Sequence, residues 1–223
     1  MPDWLKNGFL RLLDPVVGTL VRRRVHPNLI STVGFLVSLG AAAIIFGRFL
    51  VTGFFVFLVG GMMDILDGRV ARETGLASKF GSFYDSTLDR VSEIVVYFSI
   101  YAYFRPLESF WYVGYIVITA MVGSLMVSYT RARAEALGVE CKVGMMQRPE
   151  RVVTLGLGGL LVGIFRLAAP GWEYAPLLVA LGAIAVLANY TALERIYEVY
   201  RVASGVPLDE PVPPPDRYSE EED

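Results

Sequence analysis

The sequence predicts an all-α integral membrane protein with six transmembrane helices and an N-terminal amphipathic juxtamembrane helix. Two observations support this fold class. Apolar residues make up 54% of the 223 residues, and apolar stretches of about 20 residues, long enough to span a bilayer, recur along the chain. The acidic residues concentrate in two short segments, the region 64–89 and the extreme C-terminus. The net charge of −2 averages over those two segments and therefore says little about binding partners.

The first element is expected to be a helix on the membrane surface. Apolar residues between Trp4 and Leu13 are interleaved with Lys6, Arg11 and Asp14. This pattern is typical of an amphipathic interfacial helix and lacks the continuous apolar core of a cleavable signal peptide. An ordinary helix packed against the protein would show the same pattern.

Six transmembrane spans follow from hydropathy and from residues that end or turn a helix. The breaks between spans lie at Gly47-Arg48, at Arg105-Pro106, in the polar stretch 138–149 and at Pro170-Gly171. The predicted spans are 29–47, 50–70, 84–104, 109–133, 150–169 and 174–200. This even number of spans puts both termini on one side of the membrane.

The basic residues predict the orientation of the spans. Only Arg48, Arg105 and Arg166 lie at one set of span ends. The opposite ends carry Arg22, Arg23, Arg24, Arg69, Arg72, Lys79, Arg131, Arg133, Lys142, Arg148, Arg151 and Arg201. By the positive-inside rule the crowded side is cytoplasmic, which predicts a multi-pass protein of the cell (inner) membrane.

The chain is expected to form one membrane domain over residues 1–205. Residues 206–223 are rich in proline and then in acidic residues, so they predict a disordered acidic C-terminal tail. We expect membrane lipid, and no nucleic acid, among the partners of this protein.

The most informative motif is a ladder of four aspartates at the predicted cytoplasmic ends of the second and third spans. Asp64 and Asp67 have i, i+3 spacing, and Asp85 and Asp89 have i, i+4 spacing, so each pair shares one face of a helix. Two antiparallel helices can bring the two faces together. We call these four residues the aspartate ladder.

Four ionised carboxylates in a membrane protein require compensating positive charge. Each costs about 2.5–3.5 kcal/mol at the centre of a span, and mutual repulsion adds to that cost. Pairing with Arg69, Arg72 or Arg90 would compensate them structurally. A divalent metal is the favoured interpretation, and ligands made of oxygen alone suit Mg²⁺ or Mn²⁺ better than zinc.

The ladder lies within a longer pattern, D-x-x-D-G-x-x-A-R-x8-G-x-x-x-D-x-x-x-D, which runs from Asp64 to Asp89. This pattern resembles the signature of the CDP-alcohol phosphotransferase family at every defining position. The resemblance implies six spans, a surface helix and a homodimer. It also implies a reaction in which an alcohol attacks the β-phosphorus of a CDP-linked lipid and CMP leaves.

The resemblance implies roles for individual residues. Asp64, Asp67 and Asp85 would be the main ligands of two metal ions, while Asp89 would bind the second ion and accept the proton of the attacking hydroxyl. Gly68 and Gly81 leave room for a close approach of substrate, and Arg72 can neutralise phosphate. The residues expected to contact the CDP-lipid are Asn28, Ser31, Gly68, Ala71, Arg72, Ser78 and Gly81.

A cluster of basic residues indicates a phosphorylated acceptor, because a neutral alcohol such as free inositol or serine needs little positive charge beyond the metals. Segments 128–135 and 148–151 resemble those of the prokaryotic phosphatidylinositol phosphate synthases of this family. That similarity implies CDP-diacylglycerol and inositol 1-phosphate as substrates. The predicted acceptor-phosphate residues are Ser128, Arg131, Arg133, Arg148, Arg151 and Arg195.

Several alternatives remain open at this point. Glycerol 3-phosphate is also anionic and would give phosphatidylglycerol phosphate, and the donor could carry ether-linked archaeal chains. A metal-ion or anion transporter is a different class, but it predicts charges at several membrane depths, whereas the charges here lie toward one side. An inactive structural subunit would retain the energetic cost of the ladder without benefit.

Overall fold

The computed structural model describes residues 3–141 and 143–205. Every regular element in these two ranges is helical, so the predicted all-α class is confirmed. The α-helices are α1 (Asp3–Arg22), α2 (Pro27–Phe46), α3 (Leu50–Thr74), α4 (Lys79–Phe104), α5 (Val113–Ala136), α6 (Arg148–Ala168) and α7 (Ala175–Ser204). A short 3₁₀ helix, Glu108–Phe110, precedes α5.

Five of these helices are long and apolar enough to cross a membrane, namely α2, α3, α5, α6 and α7. The predicted third span, 84–104, lies on α4, which does not reach the same apolar content. The part of α4 after Glu93 carries no charged residue, but Asp85, Asp89, Arg90 and Glu93 all lie before it. A run of several apolar helices of spanning length is the pattern of a multi-pass membrane protein.

The helix boundaries differ from the prediction where polar residues extend a helix beyond its apolar stretch. Helix α3 continues to Thr74, four residues past the expected end, and stops at Gly75, which has a left-handed φ of 69°. Helix α4 begins at Lys79 instead of residue 84, because the Ser78 side chain caps it by accepting a hydrogen bond from the Gly81 N–H. The whole ladder therefore lies on two regular helices.

The helices pack closely through small residues. Helix α3 packs along both α2 and α6. A Cβ atom on Gly60 of α3 would lie 2.6 Å from the Ser38 Oγ of α2, and a Cβ atom on Gly159 of α6 would lie 1.9 Å from the Phe54 ring of α3. Such close approach is typical of helix contacts within membranes.

Helix α1 packs against the end of the bundle that carries the ladder. Its Leu13 and Val17 are buried in a small apolar cluster with Ile30, Leu66 and Val70. Asp14 also pairs with Arg69 of α3 at 2.6 Å. The structure does not describe the side chains of residues 3–12, on which the prediction of a surface helix depends, and the predicted tail, 206–223, lies outside the described residues.

We expect Gly159→Ala to destabilise the protein by about 1–3 kcal/mol, because its methyl group would overlap the buried Phe54 ring. Gly182→Ala on α7 is the matched control, since a Cβ atom there would have no atom of the described residues within 4 Å apart from its own stretch of helix. The measurement is thermal unfolding of the detergent-purified variants. Equal melting temperatures for the two variants would contradict the α3–α6 packing.

Candidate active site

The aspartate ladder lies on α3 and α4, and both of these helices pack against α2. Asp64, Asp67 and Asp85 each offer one carboxylate oxygen, and these three oxygens all lie within 4.8 Å of one another. The i, i+3 and i, i+4 spacings therefore bring carboxylates from the two helices together, as the sequence indicated.

Neighbouring side chains hold the carboxylates in place. The Ser31 Oγ donates a 2.7 Å hydrogen bond to Asp67 Oδ2. Arg148, at the start of α6, forms ion pairs with both Asp64 and Asp89, the latter at 2.8 Å. Asp85 Oδ1 is buried and has no hydrogen-bond partner among the described residues.

This donor set fits a divalent cation. Three converging carboxylates carry more negative charge than the single Arg148 guanidinium offsets, and a buried carboxylate oxygen without a hydrogen bond requires a positive partner. The three groups offer only oxygen atoms, which are the ligands that Mg²⁺ and Mn²⁺ prefer. Asp89 lies outside this group of three and is paired with Arg148.

A cavity of about 240 Å³, which we call cavity A, opens on one side of the ladder. All seven residues predicted to contact a CDP-lipid line it, together with Asp67 and Asp85. These seven are Asn28, Ser31, Gly68, Ala71, Arg72, Ser78 and Gly81. A Cβ atom on Gly81 would lie 3.1 Å from both Asn28 Oδ1 and Ser78 Oγ, so a larger residue would crowd this wall.

A second cavity of about 330 Å³, cavity B, lies on the other side of the ladder between α4, α5, α6 and α7. Five of the six predicted acceptor residues line it, and Asp89 faces it from the ladder. These five are Ser128, Arg131, Arg148, Arg151 and Arg195. Ser82 lines both cavities, so the two spaces adjoin at the ladder.

The structure does not bring Arg133 to cavity B. Successive helical residues are rotated by about 100°, so Arg131 and Arg133 point in nearly opposite directions from α5. Arg131 lines the cavity and pairs with Glu135 at 2.8 Å, whereas Arg133 is exposed on another face.

Arg195 has the most unusual environment in cavity B. It lies on α7 with only 2% of its surface exposed. Its Nε donates to the Val143 carbonyl at 2.9 Å and its Nη1 donates to the Val127 carbonyl at 2.6 Å. No carboxylate of the described residues lies within 4 Å of it, so this buried cation can attract an anion into the cavity.

Sequence reasoning missed several residues that line cavity B. The most important is Glu93, which is buried and forms a double ion pair with Arg151. Its position four residues after Asp89 could have placed it on the ladder face of α4. The other missed lining residues include Ser82, Ser86, Arg90, Glu135 and Gln147.

The comparisons with known proteins agree with this geometry. The family model described as CDP-alcohol phosphatidyltransferase matches residues 24–194, a range that contains the ladder and almost all the residues lining the two cavities. The chain therefore belongs to the CDP-alcohol phosphatidyltransferase family and is an enzyme of that type.

Two similar curated relatives are inositol phosphate lipid synthases. The chain is 35% identical to the archaetidylinositol phosphate synthase of Methanothermobacter thermautotrophicus, an alignment that covers 90% of this chain and 98% of the relative. It is 31% identical to the phosphatidylinositol phosphate synthase of Cutibacterium acnes, with the same coverage of 90% and 98%.

Solved structures of a related enzyme share the fold. The phosphatidylinositol phosphate synthase of Mycobacterium tuberculosis with bound CDP-DAG superimposes with a TM-score of 0.74 at 26% identity, covering 85% of this chain and 94% of that one. The same enzyme in complex with manganese and citrate gives a TM-score of 0.70 at 28% identity, covering 83% and 88%.

We expect Mn²⁺ to raise the melting temperature of the purified protein and Asp67→Asn to weaken that effect. A ligand that binds only the folded state stabilises it by about 2.7 kcal/mol at a hundred times its Kd. Asp14→Asn, which removes a carboxylate paired with Arg69 outside both cavities, should keep the full response. Equal Mn²⁺ responses in Asp67→Asn and the wild type would argue against the ladder as the metal site.

Proposed function

We propose that this enzyme transfers the phosphatidyl group of CDP-diacylglycerol to inositol 1-phosphate and releases CMP. The observation that carries the proposal is the buried Arg195 guanidinium in cavity B, which has no carboxylate partner among the described residues. An anionic acceptor would supply the missing negative charge. The names of the relatives from Methanothermobacter and Cutibacterium support the same acceptor.

We also propose a membrane arrangement for the catalyst. Helix α4 would be the third of six spans, with its polar first half facing the two cavities and not lipid. Helix α1 would lie at the membrane surface. The excess of basic residues at the ladder end of the bundle supports a cytoplasmic active site in the cell membrane. A homodimer is expected from the family resemblance.

Cavity A would hold the CDP part of the donor. Arg72 supplies positive charge for the diphosphate, and the Asn28 side chain lines the same wall as Gly68 and Gly81. The absence of a side chain at those two glycines lets the donor approach the helix backbone closely. The lipid chains would extend along apolar helix surface, which does not distinguish ester-linked from ether-linked chains.

Asp64, Asp67 and Asp85 would hold a divalent metal, Mg²⁺ or Mn²⁺, and Asp89 would contribute to a second ion. Divalent ions in such sites offset the charge that develops on the phosphoryl group and on the departing oxygen. Ser31 would keep Asp67 in its ligating orientation through the hydrogen bond described above.

Asp89 would act as the general base toward an acceptor in cavity B. Arg148 contacts its Oδ1 atom, while Oδ2 has no hydrogen-bond partner among the described residues. An acceptor hydroxyl that donates to Oδ2 would lose its proton there as its oxygen bonds to the β-phosphorus. The bond from that phosphorus to the CMP oxygen would break, so that CMP leaves on the cavity A side.

Cavity B would bind the phosphate of the acceptor. Arg131, Arg151 and Arg195 approach the space from α5, α6 and α7 and can donate charge-assisted hydrogen bonds to phosphate oxygens. Glycerol 3-phosphate carries the same kind of anion and is the main competing acceptor within the family. The space of about 330 Å³ leaves room for a ring as well as a phosphate.

The acceptor assay measures CMP release from CDP-diacylglycerol with inositol 1-phosphate, free inositol, glycerol 3-phosphate or serine. We expect inositol 1-phosphate to give the highest kcat/KM, and an ether-linked CDP-lipid tests the donor chains in parallel. Arg195→Gln should lower kcat/KM for inositol 1-phosphate by about 10- to 150-fold, the equivalent of a charged hydrogen bond. Arg201→Gln, which removes an exposed arginine at the end of α7, should leave it unchanged.

Activity confined to an uncharged acceptor would contradict this assignment. Metal uptake into proteoliposomes without CMP release would instead favour a transporter.

Asp89→Asn should reduce kcat by about 100-fold or more, because the amide cannot accept the hydroxyl proton. Binding of the CDP-lipid in cavity A should persist, since Asp89 does not line that cavity. Single-turnover CMP release and a separate CDP-lipid binding measurement distinguish the two effects. Normal turnover in Asp89→Asn would refute its role as the base.

A further inference from the structure

The side chains of Glu93 and Arg151 form a buried, two-point ion pair at the wall of cavity B. Arg151 Nε and Nη2 donate to Glu93 Oε1 and Oε2 at 2.7 and 2.9 Å. Arg151 is 1% exposed, and Glu93 is also buried. The planar fork of an arginine matches a carboxylate in this arrangement, so the pair fixes the orientation of the guanidinium plane.

The pair leaves part of the Arg151 guanidinium available to cavity B. An arginine has five N–H donors. Two of them bind Glu93, and a third, on Nη1, binds the Met146 carbonyl at 3.2 Å. The two remaining donors lie on the Nη1 and Nη2 atoms of a residue that lines the cavity.

The same pair sets the register between α4 and α6. Asp89 and Glu93 lie one turn apart on α4, and their partners Arg148 and Arg151 lie about one turn apart at the start of α6. Helix α6 packs along α3 and α7, so its two arginines extend across to α4 and form part of the wall of cavity B. A fixed Arg151 therefore also fixes the start of α6.

A contribution to folding stability does not by itself explain why this buried ion pair is present. Removing two charges from water costs several kcal/mol per ion, and a buried ion pair can often be replaced by apolar residues of similar size without loss of stability. The position of the pair at the wall of cavity B gives a functional explanation. Without Glu93, the Arg151 side chain would adopt several rotamers and would bind an anion less tightly.

We propose that Glu93 is a positioning residue for the acceptor: it holds Arg151 so that its two free donors face the acceptor phosphate in cavity B. This proposal deepens the proposed function and rests on it. Glu93 itself uses both carboxylate oxygens on Arg151, so it acts on the acceptor through that arginine.

The test is steady-state kinetics of Glu93→Gln with inositol 1-phosphate and CDP-diacylglycerol varied separately. We expect the KM for inositol 1-phosphate to rise roughly tenfold to a hundredfold, the loss expected when a charged hydrogen bond is misplaced. The KM for CDP-diacylglycerol and the kcat at saturating acceptor should change less than about threefold. Glu93→Asp keeps the charge and should restore part of the acceptor affinity.

A double-mutant cycle separates positioning from direct contact. If Glu93 acts only through Arg151, the variant with both Glu93→Gln and Arg151→Gln should have the same acceptor KM as Arg151→Gln alone. Glu198→Gln is the matched control, because Glu198 pairs with Arg201 at 2.8 Å away from both cavities. Its kinetics should equal those of the wild type.

The possible outcomes are distinct. An active wild type with an unchanged acceptor KM in Glu93→Gln overturns the positioning role, and so do equal increases in the KM values of both substrates. If Glu93→Gln does not fold, Glu93→Asp is measured in its place. Its side chain is one methylene shorter and cannot keep both bonds to Arg151 without moving the guanidinium, so a wild-type acceptor KM in that variant overturns the proposal. A wild type that releases no CMP with inositol 1-phosphate refutes the proposed function instead.

Discussion

The convergence of carboxylates from α3 and α4 is the interaction on which the rest of the site depends. Carboxylate oxygens of Asp64, Asp67 and Asp85 lie within 4.8 Å of one another. Asp64 and Asp67 belong to α3, one of the helices that are long and apolar enough to cross a membrane. Like charges at this distance repel strongly where little water screens them. The arrangement is stable only if cations offset it, and Arg148 provides one of them. A divalent metal would provide the remainder.

Helix packing produces this convergence and the two cavities beside it. Small residues such as Gly60 let α2 and α3 approach closely, and the start of α4, capped by Ser78, keeps Asp85 within a regular helix. Cavity A then opens toward the residues of the family signature, and cavity B opens toward the arginines of α5, α6 and α7. Donor and acceptor would thus reach the ladder from different sides, which suits a displacement at phosphorus.

Much of this organisation is predictable from the sequence, because hydropathy and short spacings are local properties. The apolar stretches indicate the helices, and the i, i+3 and i, i+4 spacings place the aspartates on shared faces. The ends of the helices are harder to predict from the sequence. The segments that extend α3 to Thr74 and α4 back to Lys79 are polar, and their hydropathy is similar to that of loops. Long-range pairs such as Arg148 with Asp64 depend on tertiary packing, which no local pattern encodes. Arg133 is instructive, because helical rotation alone separates it from Arg131.

The most direct test of this account is a crystal structure of the protein with Mn²⁺ and CDP-diacylglycerol, with anomalous diffraction recorded at the manganese absorption edge. We expect an anomalous peak bounded by the carboxylates of Asp64, Asp67 and Asp85, with the donor diphosphate against it. An anomalous map without a peak there, or side chains of the ladder that point away from one another with the donor bound, would contradict it.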